Sequence, residues 1–213
     1  MIIIGGGGHA AVLLDMLLKQ QREIVGVVSP GERPVRKVFD NIPHFTTDTE
    51  VLKFNKNSIK LVNGIGSLPG GSLRTSLYNK FTNLGYEFET VIADNSIVST
   101  YAELASGVQV MSGAIIQTGV NVGSNSIINT GAIVDHDCKI GINNHVASGV
   151  TISGQVESQE NVHFGTGAAV IHSVNIGANV VIGAGSTICK DILENTICYP
   201  ARITKKDLNI NES

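Results

Sequence analysis

The chain is predicted to fold as a small α/β unit with a parallel sheet, followed by a three-sided parallel β-helix. Two observations carry this reading: a strand, helix, strand order up to about residue 90, and an apolar residue at every sixth position from Ile92 onward.

Composition agrees with it. The 213 residues include 24 glycines and only 15% charged side chains, which suits a β-rich chain with many tight corners. A formal net charge of −3, with no basic patch and interleaved aromatics, gives no support to nucleic-acid binding. Cys138, Cys189 and Cys198 show no CxxC spacing, so neither a disulfide framework nor a cysteine zinc site is indicated. Met1-Ile2-Ile3-Ile4 runs straight into glycines and is too short for the apolar region of a signal peptide. No apolar stretch reaches the ~20 residues that span a bilayer. The expectation is a soluble, cytoplasmic protein without membrane insertion.

Within the first 90 residues, Ile2-Ile3-Ile4 reads as a short buried strand and Gly5-Gly6-Gly7-Gly8 as a turn. His9 to Gln20 carries Val12, Leu13, Met16 and Leu17 at helical spacing. Ile24 to Val28 is a second strand, stopped by Ser29-Pro30-Gly31; Ile59 to Val62 is a third, and a helix follows from about Ser72 to Asn83. Between Glu32 and Asn57 only a helical turn at Asp48 to Phe54 suggests itself.

From Ile92 the pattern changes. Every sixth residue is Ile92, Val98, Leu104, Val110, Ile116, Val122, Ile128, Val134, Ile140, Val146, Ile152, Ser158, Phe164, Val170, Ile176, Ile182 and Ile188. Ser158 alone is polar. The fourth residue after each is small or β-branched nearly throughout, from Ala102 and Val108 to Val174 and Val180. A six-residue unit supplies one short strand and one corner, and three units close an 18-residue coil. The large aliphatic points inward and stacks on its counterpart in the next coil, while the small residue fits where the corner narrows. Sandwich loops of varying length would destroy so strict a register, and with no insertion in it, no long loop should protrude.

Two motifs carry chemistry. Gly5-Gly6-Gly7-Gly8-His9-Ala10 follows a strand and opens a helix, where backbone N–H groups can hold a phosphate. It has the G-x-G-x-x-A form of a Rossmann-like fingerprint, yet strand two ends in Val28-Ser29-Pro30 with no acidic residue to hold a nicotinamide ribose. The plainer reading is a turn that lets the helix pack, with His9 a solvated helix-start residue. The second motif is Asn129-Thr130-Gly131-Ala132-Ile133-Val134-Asp135-His136-Asp137-Cys138, with His145 beyond it. His136 and His145 fall on outward positions, and Cys138 on an inward one where a packed, inert thiol is expected. A lone outward histidine is ordinarily just solvated. A histidine oriented by an acid is a general base near neutral pH. Adjacent residues on a straight strand point to opposite sides, so Asp137 can orient His136 only at a corner.

This combination, with its N-T-x-x-x-V-x-H-[DE]-C stretch, resembles the bacterial nucleotide-sugar acetyltransferases of the hexapeptide-repeat family. These include UDP-4-amino-sugar N-acetyltransferases and sialic acid O-acetyltransferase-like proteins. The resemblance covers almost the whole chain. It implies a left-handed β-helix, a handedness that the spacing itself does not supply and that runs against the general preference for right-handed crossovers. It divides the chain into a Rossmann-like nucleotide-sugar-binding domain (1–90), a left-handed β-helix (91–193) and a C-terminal cap or tail (194–213). Lys190 to Thr196 and Pro200-Ala201-Arg202 resemble the family's closing segment, with Cys198 where a glycine is usual.

The resemblance further implies a homotrimer that uses acetyl-CoA and no metal, acting on a nucleotide-linked amino sugar, UDP-linked in the favoured case. Residue by residue, His136 matches the catalytic histidine and Asp137 its acidic partner. Gly7, Gly8, His9 and Gly66 match contacts to the nucleotide sugar, Asn129 an asparagine near the acceptor, and His145, Thr166 and Ala184 contacts to acetyl-CoA. Ser29 departs from the acidic residue of several relatives, which leaves the choice among UDP, dTDP and GDP open.

Three other readings stand beside this one. O-acetylation of a sialic acid would use the same site. A γ-carbonic anhydrase-like metalloprotein would use His145 and His163, one coil apart, with His136 and His172 in the other histidine phase. A scaffold would use the solenoid surface alone.

Overall fold

The structure, a computed structural model, describes residues 1–200. Strands β1 (Ile2–Ile4), β2 (Gly26–Val28), β3 (His44–Phe45), β4 (Lys60–Asn63) and β5 (Glu87–Phe88) form a parallel sheet in the order β3-β2-β1-β4-β5. The three strands read from sequence are present; β3 and β5 have two residues each, too few to stand out as apolar runs. Helices α1 (Gly8–Lys19) and α2 (Leu73–Asn83) lie where the periodicity places them. The turn at Asp48–Lys53 is a 3-10 helix closed by a capping box between Thr47 and Glu50. Strand order reverses between β1 and β4, so the loops that follow these two strands leave the sheet's carboxyl edge side by side, the position at which such sheets hold ligands.

Helix α1 buries Ala10, Leu13, Leu14, Met16 and Leu17. One cluster joins these side chains to Ile3, Val27 and Val62 of the sheet and to Val91, Ala93, Met111 and Ile127 of the second unit. The helix therefore glues the sheet to the β-helix, and its amino end with the glycine loop is held against that surface.

The second unit is a three-sided parallel β-helix of two-residue strands that begin at Val91–Ile92 and recur every six residues to Thr187–Ile188. They fall into three parallel sheets. The first face contains Gln109–Val110, Ile127–Ile128, His145–Val146 and His163–Phe164, the second Ile133–Val134, and the third Lys139–Ile140. Residue i pairs with i+18, as in Ile128 with Val146 and Val134 with Ile152. From Val110 to Ile188 the inward residues are buried, and no loop interrupts them.

Each corner is turned by a residue with positive φ, at every sixth position from Gly107 to Gly185. On the corner between first and second faces these are Gly113, Gly131, Gly149, Gly167 and Gly185. On that between third and first, Gly107 is followed by Asn125, Asn143, Asn161 and Asn179, which hydrogen-bond along the column, Asn125 Nδ2 to Asn143 Oδ1 at 2.8 Å and Asn161 Nδ2 to Asn179 Oδ1 at 3.1 Å. Glycine and asparagine are the residues that enter this region most readily.

Three details depart from the ideal repeat. Ile92, in the inward phase, is 39% exposed, because no coil precedes it. At the other end Val181 pairs with Ile197, so the last coil is two residues short and adds the strand Ile197–Cys198; Ala201 and Arg202 of the closing segment lie outside the described residues. Ser158, the polar residue in the aliphatic series, is nearly buried, and its Oγ accepts from Asn144 Nδ2 at 2.7 Å. Asn144 Oδ1 in turn accepts from the Val162 N–H at 2.7 Å. The two polar intruders satisfy each other. Ser158→Ala strands the buried amide and should cost about 1–3 kcal/mol, read as a lower urea midpoint; adding Asn144→Val should not recover that loss, because the Val162 N–H then loses its acceptor.

Candidate active site

The loop after β1 needs glycine at Gly5, whose φ is +108°. Gly7 caps α1 without a side-chain bond, and no acidic residue occupies the first turn. The helix start therefore presents free N–H groups and a positive dipole end to an anion. Arg36 Nη2 stands 3.7 Å from where a Cβ on Gly8 would lie, adding a cation that the sequence pattern did not single out.

His9 is not a solvated helix-start residue. Its Nε2 lies 2.7 Å from Gln109 Oε1, while Gln109 Nε2 donates to the Asn63 carbonyl at 2.8 Å. Gln109 must then accept from His9, which places the imidazole proton on Nε2. Burial pushes the His9 pKa down to about 4, against the bond to Gln109, with Arg74 adding to the depression. His9 is neutral at pH 7 and braces the two units. Around it, Arg74 donates to the carbonyls of Asn63, Ile65 and Asn125 at 3.0, 2.7 and 3.1 Å, and Asn63 Nδ2 donates to Asn125 Oδ1 at 3.0 Å.

Between the units lies a cleft of about 470 Å³, lined by Gly7, Gly8, His9, Gly66, Ser67, Leu68, Asn129 and His145 among others. The sequence-predicted contacts Gly7, Gly8, His9, Gly66, Asn129 and His145 thus share one space. His145 Nδ1 lies 3.0 Å from the Ser67 carbonyl and its Nε2 3.1 Å from Asn129 Nδ2. Burial, then the neighbouring His163 and His9, lower the His145 pKa to about 3. The His145 and His163 rings meet edge to face one coil apart, as the spacing requires, with centroids 4.9 Å apart. Both His145 nitrogens are already engaged, which leaves neither for a metal. A larger crevice of about 640 Å³ lies beyond the Ser67–Ser72 loop, against the asparagine corner, and contains none of the predicted residues except the loop they adjoin.

His136 is elsewhere. It stands, half-exposed, on the corner between second and third faces, opposite the first face that carries Asn129 and His145. Asp137 turns that corner with φ +58°, which brings two consecutive side chains to the same side. His136 Nδ1 is 2.9 Å from Asp137 Oδ2, and the His136 N–H donates to Asp135 Oδ1 at 2.8 Å. The bond to Asp137 raises the His136 pKa; desolvation opposes it, and the charges of Asp135 and Asp137 add to the rise. Two glycines make room for the pair, one coil to either side. A Cβ on Gly119 would collide with Asp137 Oδ1, and one on Gly154 would lie 2.6 Å from His136 Cε1 and 2.7 Å from its Nε2. Cys138, beside them in sequence, points inward, and burial lifts its thiol to about 11; it is inert.

The PglD N-terminal domain family matches residues 1–81. Among solved structures, PerB from Caulobacter crescentus, in complex with CoA and GDP-perosamine, is 30% identical over 92% of this chain and 91% of its own, with a TM-score of 0.82. The acetyltransferase domain of PglB from Neisseria gonorrhoeae, in complex with acetyl coenzyme A, is 25% identical over 94% of this chain and 97% of its own, also with a TM-score of 0.82. No curated protein matches the chain in sequence. The chain belongs to the hexapeptide-repeat acetyltransferases with a PglD-type N-terminal domain.

In this acetyltransferase, Thr166 and Ala184 occupy one exposed column on the corner between first and second faces, beside Gly167 and Gly185. The backbone N–H groups of both have no acceptor among the described residues. Sequence reasoning missed Arg36, Ser67, Gln109, Gly119 and Gly154. The two glycines could have been found by stepping 18 residues back from Asp137 and forward from His136; Ser67 and Gln109 matter only through contacts between the units.

Two outcomes test this site. Proton NMR titration should give His136 a pKa above the ordinary value of about 6.5, falling toward it in Asp137→Asn because the main raising bond is lost. Gly154→Ala should displace the imidazole and cut acetyl transfer by about a hundred-fold, with the unfolding midpoint nearly unchanged.

Proposed function

We propose that this acetyltransferase moves the acetyl group of acetyl-CoA onto the 4-amino group of a nucleotide-linked amino-deoxy sugar, at sites shared between subunits of a homotrimer. One observation carries the proposal. The cleft with the glycine loop and Asn129 lies on one side of the prism, and the sole histidine equipped as a base lies on the opposite corner. Within one chain the halves face apart; a second copy brings its His136–Asp137 pair to the cleft of the first. The bare glycine corner at Gly149, Gly167 and Gly185, where an added Cβ would meet nothing within 4 Å, permits such close approach. Unpaired N–H groups at Thr166 and Ala184 line the same corner, suited to the amide-bearing arm of acetyl-CoA.

The N-terminal end of α1 and Arg36 hold the diphosphate, and the sugar amine reaches the partner's base. Acetyl-CoA supplies an activated thioester carbonyl. His136 Nε2, unpartnered among the described residues, takes a proton as the amine nitrogen bonds to that carbonyl carbon; Nδ1–H stays with Asp137, which supports the imidazolium. His136 then returns the proton to the departing sulfur as the C–S bond breaks. Amide and thiol are the products, without an acyl-enzyme. His9 and His145 take no part as bases, since burial lowers the pKa of both well below the ordinary histidine value, and both ring nitrogens of His145 are hydrogen-bonded.

The nucleotide is the finer question. The family resemblance favours a UDP sugar, and PerB's complex with GDP-perosamine makes GDP the second reading. A panel of UDP-, dTDP- and GDP-linked 4-amino sugars with acetyl-CoA, followed by thiol release, decides between them; no turnover with any would defeat the proposal. His136→Ala should reduce turnover at least about a hundred-fold, the usual range for general-base loss, with folding retained. Co-expressed His136→Ala and Asn129→Ala subunits should regain activity that neither has alone, because mixed trimers contain some intact sites. Absence of that rescue would place the whole site within one chain.

A further inference from the structure

The cleft contains a hydrogen-bond chain whose direction has only one solution. The Ser67 carbonyl can only accept, so His145 Nδ1, 3.0 Å away, carries the ring proton. A neutral ring then has a bare lone pair at Nε2, which accepts from Asn129 Nδ2 at 3.1 Å. The Thr130 N–H can only donate, and it donates to Asn129 Oδ1 at 2.7 Å. Both ends of the Asn129 amide are thereby assigned, with no freedom to flip. One Asn129 N–H remains, and Asn129 lines the cleft.

We infer that His145 is a positioning residue: its Nδ1–H ties the Ser67 loop of the N-terminal unit to the β-helix, while its Nε2 holds Asn129 so that the remaining amide N–H faces an acceptor atom in the cleft. This rests on the proposed transfer reaction, in which that acceptor is an oxygen of the reacting groups. It gives His145 a task through Ser67 and Asn129 rather than through its own contact with the acetyl donor. Its role is also specific to one tautomer. A ring protonated at Nε2 alone would lose both bonds together.

Two conservative variants separate the two bonds. The amide of His145→Asn reaches the Nδ1 position and keeps the donor to Ser67, but leaves Asn129 unheld. The amide of His145→Gln reaches the Nε2 position and can still hold Asn129, but releases Ser67. His145→Asn should lower kcat by about ten-fold, the scale of one net hydrogen bond, with the KM for the nucleotide sugar within about two-fold. His145→Gln should instead raise that KM by more than it lowers kcat. Asn129→Ala added to His145→Asn should cost little further kcat, since the two act on one element. Equal losses of kcat and KM effect in both variants, or fully additive losses with Asn129→Ala, would overturn the inference.

A second measurement does not depend on turnover. Imidazole ¹⁵N shifts of the wild-type protein should show His145 protonated at Nδ1 and bare at Nε2 between pH 5 and 8. An Nε2-protonated or titrating His145 would refute the assignment even if acetyl transfer proceeds. If instead no nucleotide amino sugar is acetylated by the wild type while the tautomer is as described, the reaction is wrong and the chain of bonds stands.

Discussion

A residue in the left-handed backbone region at every sixth position is the constraint on which the molecule depends. It turns each corner of the β-helix in four residues, keeps the aliphatic side chains stacked 18 residues apart, and lets each coil bond to the next. The three corner columns then diverge in composition. One is all glycine and bare, one is asparagine after Gly107 and self-bonded, and the third holds Gly119, Asp137, Gln155 and Ser173. An aspartate in that backbone region carries a conformational cost of about 1–2 kcal/mol. Here the turn it makes is also what folds its carboxylate back onto His136. The turn and the histidine–carboxylate pair are one feature.

The histidines show how environment, rather than residue type, assigns a role. His9 and His145 are covered by the opposing unit, and loss of water drives both far below the ordinary histidine range. His163, edge to face with His145, is lowered for the same reason. His136 stays in solvent beside two carboxylates and moves the other way. One raised and two depressed imidazoles thus coexist around the same β-helix.

Docking of the sheet onto the β-helix creates the cleft. Apolar contact through α1 provides the adhesion, and the buried chain from His9 through Gln109 and Asn63 to Asn125 and Arg74 sets the alignment. Such polar groups, once buried, are tolerated only when paired, so a displaced docking would leave several donors and acceptors stranded. That penalty holds the glycine loop over Asn129 and His145.

Much was determined by the sequence alone. The six-residue period could form nothing but a three-sided solenoid, because only a constant coil length keeps aliphatic residues inside, and the outward phase of His136 beside Asp137 made them the candidate pair. Ser158 stood out as the break in the series, but only the fold showed its partner to be Asn144, 14 residues back. What tertiary structure decided lay wherever the two units meet. Nothing in the local pattern around His9 or His145 tells that each is buried and bonded across 100 and 78 residues of chain, to Gln109 and Ser67. Periodicity records which side of a strand faces the core of its own coil. It carries no information about what covers the other side, and that covering is what desolvates these histidines and makes the cleft.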